Sequence, residues 1–207
     1  TDIWAVKGEL YVAHDEKDIV PERTLDSLYI QPIVKAFREN GGRAWKDGSA
    51  GFQLLIDLKT PVEPALSMLV EKLEKFPDVF DRKVNPNAVR IVVSGNRPEP
   101  SEFRNYTGIV FFDAVPGRKY SKKQLERIAL YSGDFKDFSS WNGAGDIDES
   151  ERARLRKVIY SVHSQKQKIR FWNAPDQPNA WDAFIKMGVD LINTDRVAEL
   201  AEYLNKR

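Results

Sequence analysis

Residues 2–15 read Asp2-Ile3-Trp4-Ala5-Val6-Lys7-Gly8-Glu9-Leu10-Tyr11-Val12-Ala13-His14-Asp15. Two β-prone runs, 2–6 and 9–13, flank a Lys7-Gly8 turn, which is the pattern of a β-hairpin. One end of that hairpin carries an acid and the other a His-Asp pair. A twisted two-stranded unit brings its ends together, so Asp2 is expected within side-chain reach of the His14 imidazole.

Outward from the hairpin the chain alternates short apolar runs with helical patterns. Gln53–Leu58 is apolar and runs into Asp57-Leu58-Lys59, the mark of a buried parallel strand emerging at a functional rim. Further strands are expected at 89–93, 109–112, 168–172 and 189–193, with a weaker one at 128–132. Helices are expected at 24–39, opened by Thr24 and interrupted by Pro32, and at 65–76, 122–130, 149–164, 180–186 and 197–205. The long stretch 133–148, with Trp141-Asn142-Gly143, reads as irregular. Seven candidate parallel strands separated by helices point to an α/β fold, a (β/α)8 barrel lacking about one β/α unit. That shortfall predicts a first strand ahead of Thr1. No Gly-x-Gly-x-x-Gly turn recommends the doubly wound alternative.

Bulk composition bounds the rest. The 207 residues are 42% hydrophobic and show no Gly/Ser-rich divide, which predicts one domain over residues 1–207. Thirty-two basic against 31 acidic residues leave a net charge of +1, giving no global reason to expect nucleic acid as a partner. There are no cysteines, which excludes disulfides and thiolate metal sites. No apolar run approaches the ~20 residues of a spanning helix. The chain opens inside a strand without Met, so a signal peptide, and with it a secreted or periplasmic location, would lie ahead of Thr1.

Candidate chemistry gathers at strand ends: Asp57, Ser94, Asp113, Trp172 with Asn173, and Asn193. The opening segment, together with Leu55-Ile56-Asp57-Leu58-Lys59, Arg170-Phe171-Trp172-Asn173 and Gly188-Val189-Asp190-Leu191-Ile192-Asn193-Thr194-Asp195, resembles the glycerophosphodiester phosphodiesterases of the phosphatidylinositol phospholipase C-like superfamily. Val93-Ser94-Gly95-Asn96-Arg97-Pro98 is similar to a phospholipase C/glycerophosphodiesterase-like branch of it. The resemblance implies a phosphoric diester hydrolase acting on a glycerophosphodiester or a lipid headgroup phosphodiester. It implies Asp2 and Asp57 as oxygen ligands to Mg²⁺ or Ca²⁺, His14 as a general acid or base, and Lys59 as a phosphate contact. Asp57 stands where many relatives carry Glu. A family Glu two positions before Asp2, and a first strand bearing another histidine, would fall ahead of Thr1.

The chemistry suits that set. Hard divalent cations prefer carboxylate oxygens, an ammonium stabilises phosphoryl charge, and a histidine with a reference pKa of ~6.5 changes protonation state near neutrality. Trp141 and Trp172 are candidate walls for the substrate. His163, inside a helical pattern, is not expected to stand in for a second catalytic histidine. The alternative expectation is a barrel without catalysis that holds a sugar or polyol headgroup against Trp4, Trp141 and Trp172.

Overall fold

A computed structural model describes residues 1–48 and 51–206. The chain forms two compact units, residues 1–112 with 122–127, and residues 113–121 with 128–207.

In the first unit β1 (Asp2–Val6) and β2 (Glu9–Val12) are the expected hairpin, paired antiparallel from Ile3↔Val12 to Val6↔Glu9. Lys7 and Gly8 both take positive φ, 49° and 81°. Two left-handed residues in succession give the turn whose twist matches that of its flanking strands. The Trp4 indole N–H donates to the Ala13 carbonyl across the hairpin, so its polar edge is spent on holding the two strands together.

β1 then pairs in parallel with β3 (Gln53–Leu58), β3 with β4 (Arg90–Gly95), and β4 with the first residues of β5 (Val110–Ala114). Along β3, Leu54, Ile56 and Leu58 are buried while Gln53, Leu55 and Asp57 are only half-buried. Side chains alternate across a strand, so the three leucine and isoleucine positions enter the core and Asp57 faces the other way. Helix α1 (Gln31–Glu39), entered through a π-helical turn at Asp26–Ile30, buries Val34 and Phe37. Thr24 caps that turn, its Oγ1 accepting the Ser27 N–H. The change of helical register falls just ahead of Pro32, which has no N–H for the ladder. Helix α2 (Val62–Leu73) buries Ala65, Leu66, Leu69 and Leu73; Glu63, at φ −105° and ψ 136°, is not helical, so the regular helix begins after it, next to the expected start at Ala65. A short helix α3 (Pro77–Phe80) follows.

The expected helix over 122–130 is only one turn, α4 (Lys122–Leu125). In its place the weak strand becomes β6 (Ile128–Asp134), the longest in the chain and buried at every residue but the last. A continuous apolar run fits a short helix and a strand buried on both faces equally well, and burial decided for the strand. The Arg127 guanidinium marks the boundary: it donates to the carbonyls of Tyr106, Thr107 and Val110 and lies over the Phe112 ring.

In the second unit β6 pairs in parallel with β7 (Ile169–Trp172), and β7 with β8 (Leu191–Ile192), shorter than the run expected there. Helices α5 (Glu149–His163), α6 (Pro178–Met187) and α7 (Val197–Asn205) complete it. Asp148 caps α5 by accepting the N–H groups of Ser150 and Glu151, and Gly188, at φ 87°, ends α6. Phe171 packs edge-on against Phe135 and Phe138, and Phe135 against Phe184.

Candidate active site

The β1–β3 register sets Asp2 directly opposite Asp57, and the β3–β4 register sets Asp57 opposite Ser94. Three adjacent strands therefore deliver two carboxylates and a hydroxyl in one row. The hairpin adds His14, whose Nδ1 lies 2.7 Å from Asp2 Oδ2. With Asp2 as the accepting carboxylate, Nδ1 carries the proton of that bond and Nε2 faces outward on a ring that is 81% exposed. Lys59, one residue past β3, places Nζ 3.0 Å from Asp57 Oδ1 and 3.5 Å from Asp2 Oδ2. The sequence-predicted quartet Asp2, His14, Asp57 and Lys59 is thus brought together as one connected group.

Burial, the largest single influence on Lys59, opposes its charge. The hydrogen bonds and charges of Asp57 and Asp2 together outweigh it and hold the ammonium above the ordinary lysine value of 10.5.

The Val93–Pro98 motif supplies the support for this group, a role the sequence reading left unassigned. Ser94 Oγ donates to Asp57 Oδ2 at 2.9 Å. Asn96 donates its backbone N–H to Leu58 O and its side-chain amide to Lys59 O. Gly95 sits between them at φ 68°, where an added methyl would lie 2.5 Å from Leu58 O and 2.7 Å from Asp57 Oδ1. Only glycine fits there, on both counts. A polar Ser-Gly-Asn run directly after four apolar residues was the available signal for a backbone crossing close to a neighbouring strand end.

A divalent cation fits the donor chemistry of the pair. Mg²⁺ in particular is held by one or two carboxylates and takes its remaining oxygens from water and phosphate. Asp2 and Asp57 offer those two carboxylates at 28% and 29% side-chain exposure. Among the described residues no group of three or more His, Asp or Glu side chains is arranged to hold a metal ion, and within them Asp2 and Asp57 are the acids the register sets side by side.

The other predicted residues belong to the second unit. Trp172 ends β7, opposite Asp134 in register, and is 43% exposed. Trp141 lies in the loop before α5, with its indole N–H bonded to Ala144 O. It lines two cavities, one of about 520 Å³ with Lys136, Ser140, Asn142 and Asn173, the other of about 210 Å³ with Arg152, Arg156 and Lys186. Trp172 lines neither of these two, so the tryptophans do not form one shared wall there. Asn173 is held at φ 55° with its amide donating to Asp134. His163, expected inside a helix, is its last residue, and its Nε2 meets Asp190 Oδ2 at 2.8 Å. Asp113 is buried near the end of β5, and Asn193 accepts from Arg170.

The fold is that of a known class of phosphodiesterase. A glycerophosphodiester phosphodiesterase from Parabacteroides distasonis superposes with a TM-score of 0.55 over 100% of this chain and 82% of its own, at 14% identity. An EAL domain protein from Listeria monocytogenes gives 0.51 over 90% and 75%, also at 14% identity. The α/β fold of the (β/α)8-barrel class expected from the strand-helix alternation is the fold shared with the first of these.

Within that class the chain belongs to the AIM6-like phosphodiesterase domain family, whose model matches residues 1–113. The glycerophosphoryl diester phosphodiesterase family model matches residues 168–198. Among curated relatives, an altered inheritance of mitochondria protein 6 homolog from Arthroderma benhamiae is 24% identical over 95% of this chain. Altered inheritance of mitochondria protein 6 from Eremothecium gossypii is 23% identical over 98%. The chain spans 71% of the first relative and 62% of the second. No helix of the described residues is long and apolar enough to cross a membrane.

Proposed function

We propose that this protein is a divalent-cation-dependent phosphoric diester hydrolase acting on a glycerophosphodiester or a lipid headgroup phosphodiester. The observation that supports it most directly is the connected quartet: His14 to Asp2 at 2.7 Å, and Lys59 to Asp2 and Asp57 at 3.5 and 3.0 Å. Hydrolysis of a phosphodiester demands neutralised phosphoryl charge and a proton for the departing alkoxide, and these residue types meet both demands.

Asp2 and Asp57 would hold Mg²⁺ or Ca²⁺, which supplies Lewis-acid neutralisation of the phosphoryl oxygens. Lys59 donates to a phosphoryl oxygen and stabilises the charge that builds there. His14, oriented through Nδ1, uses Nε2 to donate a proton to the leaving oxygen or to take one from water. Asp2 fixes the ring and stabilises the imidazolium while it exists. Ser94 holds the Asp57 carboxylate by its hydrogen bond, and Gly95 leaves it room.

The test is release of glycerol phosphate from glycerophosphodiesters by protein stripped with a chelator and reloaded from a panel of Mg²⁺, Ca²⁺ and Mn²⁺. Hydrolysis should return with a cation and fall by about 10²–10⁴-fold in His14→Ala. Retained turnover in that variant removes His14 from the mechanism.

A second reading is favoured by one observation, the cavity of about 520 Å³ lined by Trp141, Asn142 and Asn173. An aromatic wall with amide edges suits a sugar or polyol. Polyol binding without hydrolysis under any cation would replace the enzymatic reading with this one.

A further inference from the structure

Lys59 and the two carboxylates form a closed trio in which one ammonium serves both acids. A divalent cation needs the same acids, with carboxylate oxygens at about 2.0–2.6 Å. The backbone keeps the two acids side by side. Asp2 and Asp57 stand opposite one another in the β1–β3 register, and the Lys59 N–H bonds to Ile3 O one step further along. Ser94 pins the far oxygen of Asp57. The lysine stem has the longest reach of the three: its backbone is held on both sides, by Ile3 O and by the Asn96 amide, while four methylenes carry the charge.

Charge balance says when it moves. With His14 neutral, two carboxylates and one ammonium leave one negative charge. Adding a divalent cation turns this into one positive charge in the space of a few ångströms, with lysine and cation repelling each other. A phosphodiester carries a single negative charge, which restores neutrality, and its oxygens offer the ammonium a new partner.

We propose that Lys59 is a built-in counter-ion that keeps a divalent cation off Asp2 and Asp57 until a phosphoester draws its ammonium away, so that cation and phosphodiester bind cooperatively. The inference rests on reading Asp2 and Asp57 as the cation ligands. By linkage the coupling is reciprocal, the cation tightening the phosphoester by the same factor as the phosphoester tightens the cation.

The experiment is Mn²⁺ binding, read from the electron paramagnetic resonance signal of free Mn²⁺, with and without dimethyl phosphate, a phosphodiester of single negative charge. Wild type should bind Mn²⁺ weakly alone and about tenfold more tightly with the phosphoester. Lys59→Met should bind Mn²⁺ alone about tenfold more tightly than wild type and gain less from the phosphoester. Lys59→Arg, which keeps the charge, should behave as wild type, and circular dichroism should report the same fold for all. Equal Mn²⁺ affinity in wild type and Lys59→Met, with binding lost in Asp57→Asn, overturns the counter-ion role and leaves the cation site standing. No Mn²⁺ binding in any variant, or undiminished binding in Asp57→Asn, overturns the cation site itself.

Discussion

Two histidines in this molecule each meet an aspartate at nearly the same distance, His14 with Asp2 at 2.7 Å and His163 with Asp190 at 2.8 Å. Their surroundings differ in kind. His14 bonds through Nδ1, leaves Nε2 in the open, and shares its aspartate oxygen with Lys59, which leads on to Asp57. His163 bonds through Nε2 at the C-terminal end of α5, and the same Asp190 oxygen also accepts the Ile169 N–H at the start of β7. The first pair opens onto a chain of charges that a phosphoryl group can join. The second closes onto the backbone, where it ties a helix end to a strand. On the proposed reading, a His-Asp contact serves chemistry when its remaining atoms face other reactive groups.

The sharpest way to break this contrast is to truncate both rings. His14→Ala should lower turnover by about 10²–10⁴-fold, the usual contribution of a positioned acid or base, with the melting temperature scarcely moved. His163→Ala should leave turnover intact. Equal losses in the two variants would falsify the distinction.

Next in size is Gly95→Ala. The new methyl meets Leu58 O and Asp57 Oδ1 at an already left-handed φ, so destabilisation beyond about 1 kcal/mol is expected, with loss of activity because Asp57 is displaced. Gly117, at φ 86° with nothing near its methyl position, is the control. Gly117→Ala carries the conformational penalty alone, and urea denaturation separates the two.

Removing the His163 ring should then cost about 1 kcal/mol in chemical denaturation, the size of one lost hydrogen bond.

The smallest effect is on the pH dependence of stability. The folded state holds the Lys59 pKa above its unfolded value of 10.5. Its stabilisation is thus fully present below that value and disappears as pH rises through the folded pKa. Denaturation midpoints between pH 9 and pH 11.5 should fall further in wild type than in Lys59→Met.

Much of this was legible in the sequence because alternation and turn chemistry are local. Lys7-Gly8 specifies its turn without help, and that turn alone carries Asp2 to His14. The apolar run ending in Asp57-Leu58-Lys59 announces a strand with charge at its rim. Burial on both faces was not local, and it converted the end of an expected helix at 122–130 into β6. The Ser94-Gly95-Asn96 run signals a close backbone approach, but which groups it holds depends on the strand that lies alongside β4. That Trp4 braces the hairpin was not visible either, since an indole N–H takes whatever carbonyl the register brings near. Ser49 and Ala50 lie outside the described residues and carry none of these expectations.

The β1–β2 hairpin has an evolutionary consequence. Eleven residues separate Asp2 from His14 in sequence, yet their meeting depends on paired rungs running from Ile3↔Val12 to Val6↔Glu9. Side chains alternate at every step, so one residue inserted in either strand would turn its end to the opposite face. A lineage that lengthens this hairpin and keeps the pair must add residues in matched rungs, one to each strand and two at a time. Inheritance here is quantised, and the spacing of an acid from a histidine is passed on as a count of rungs.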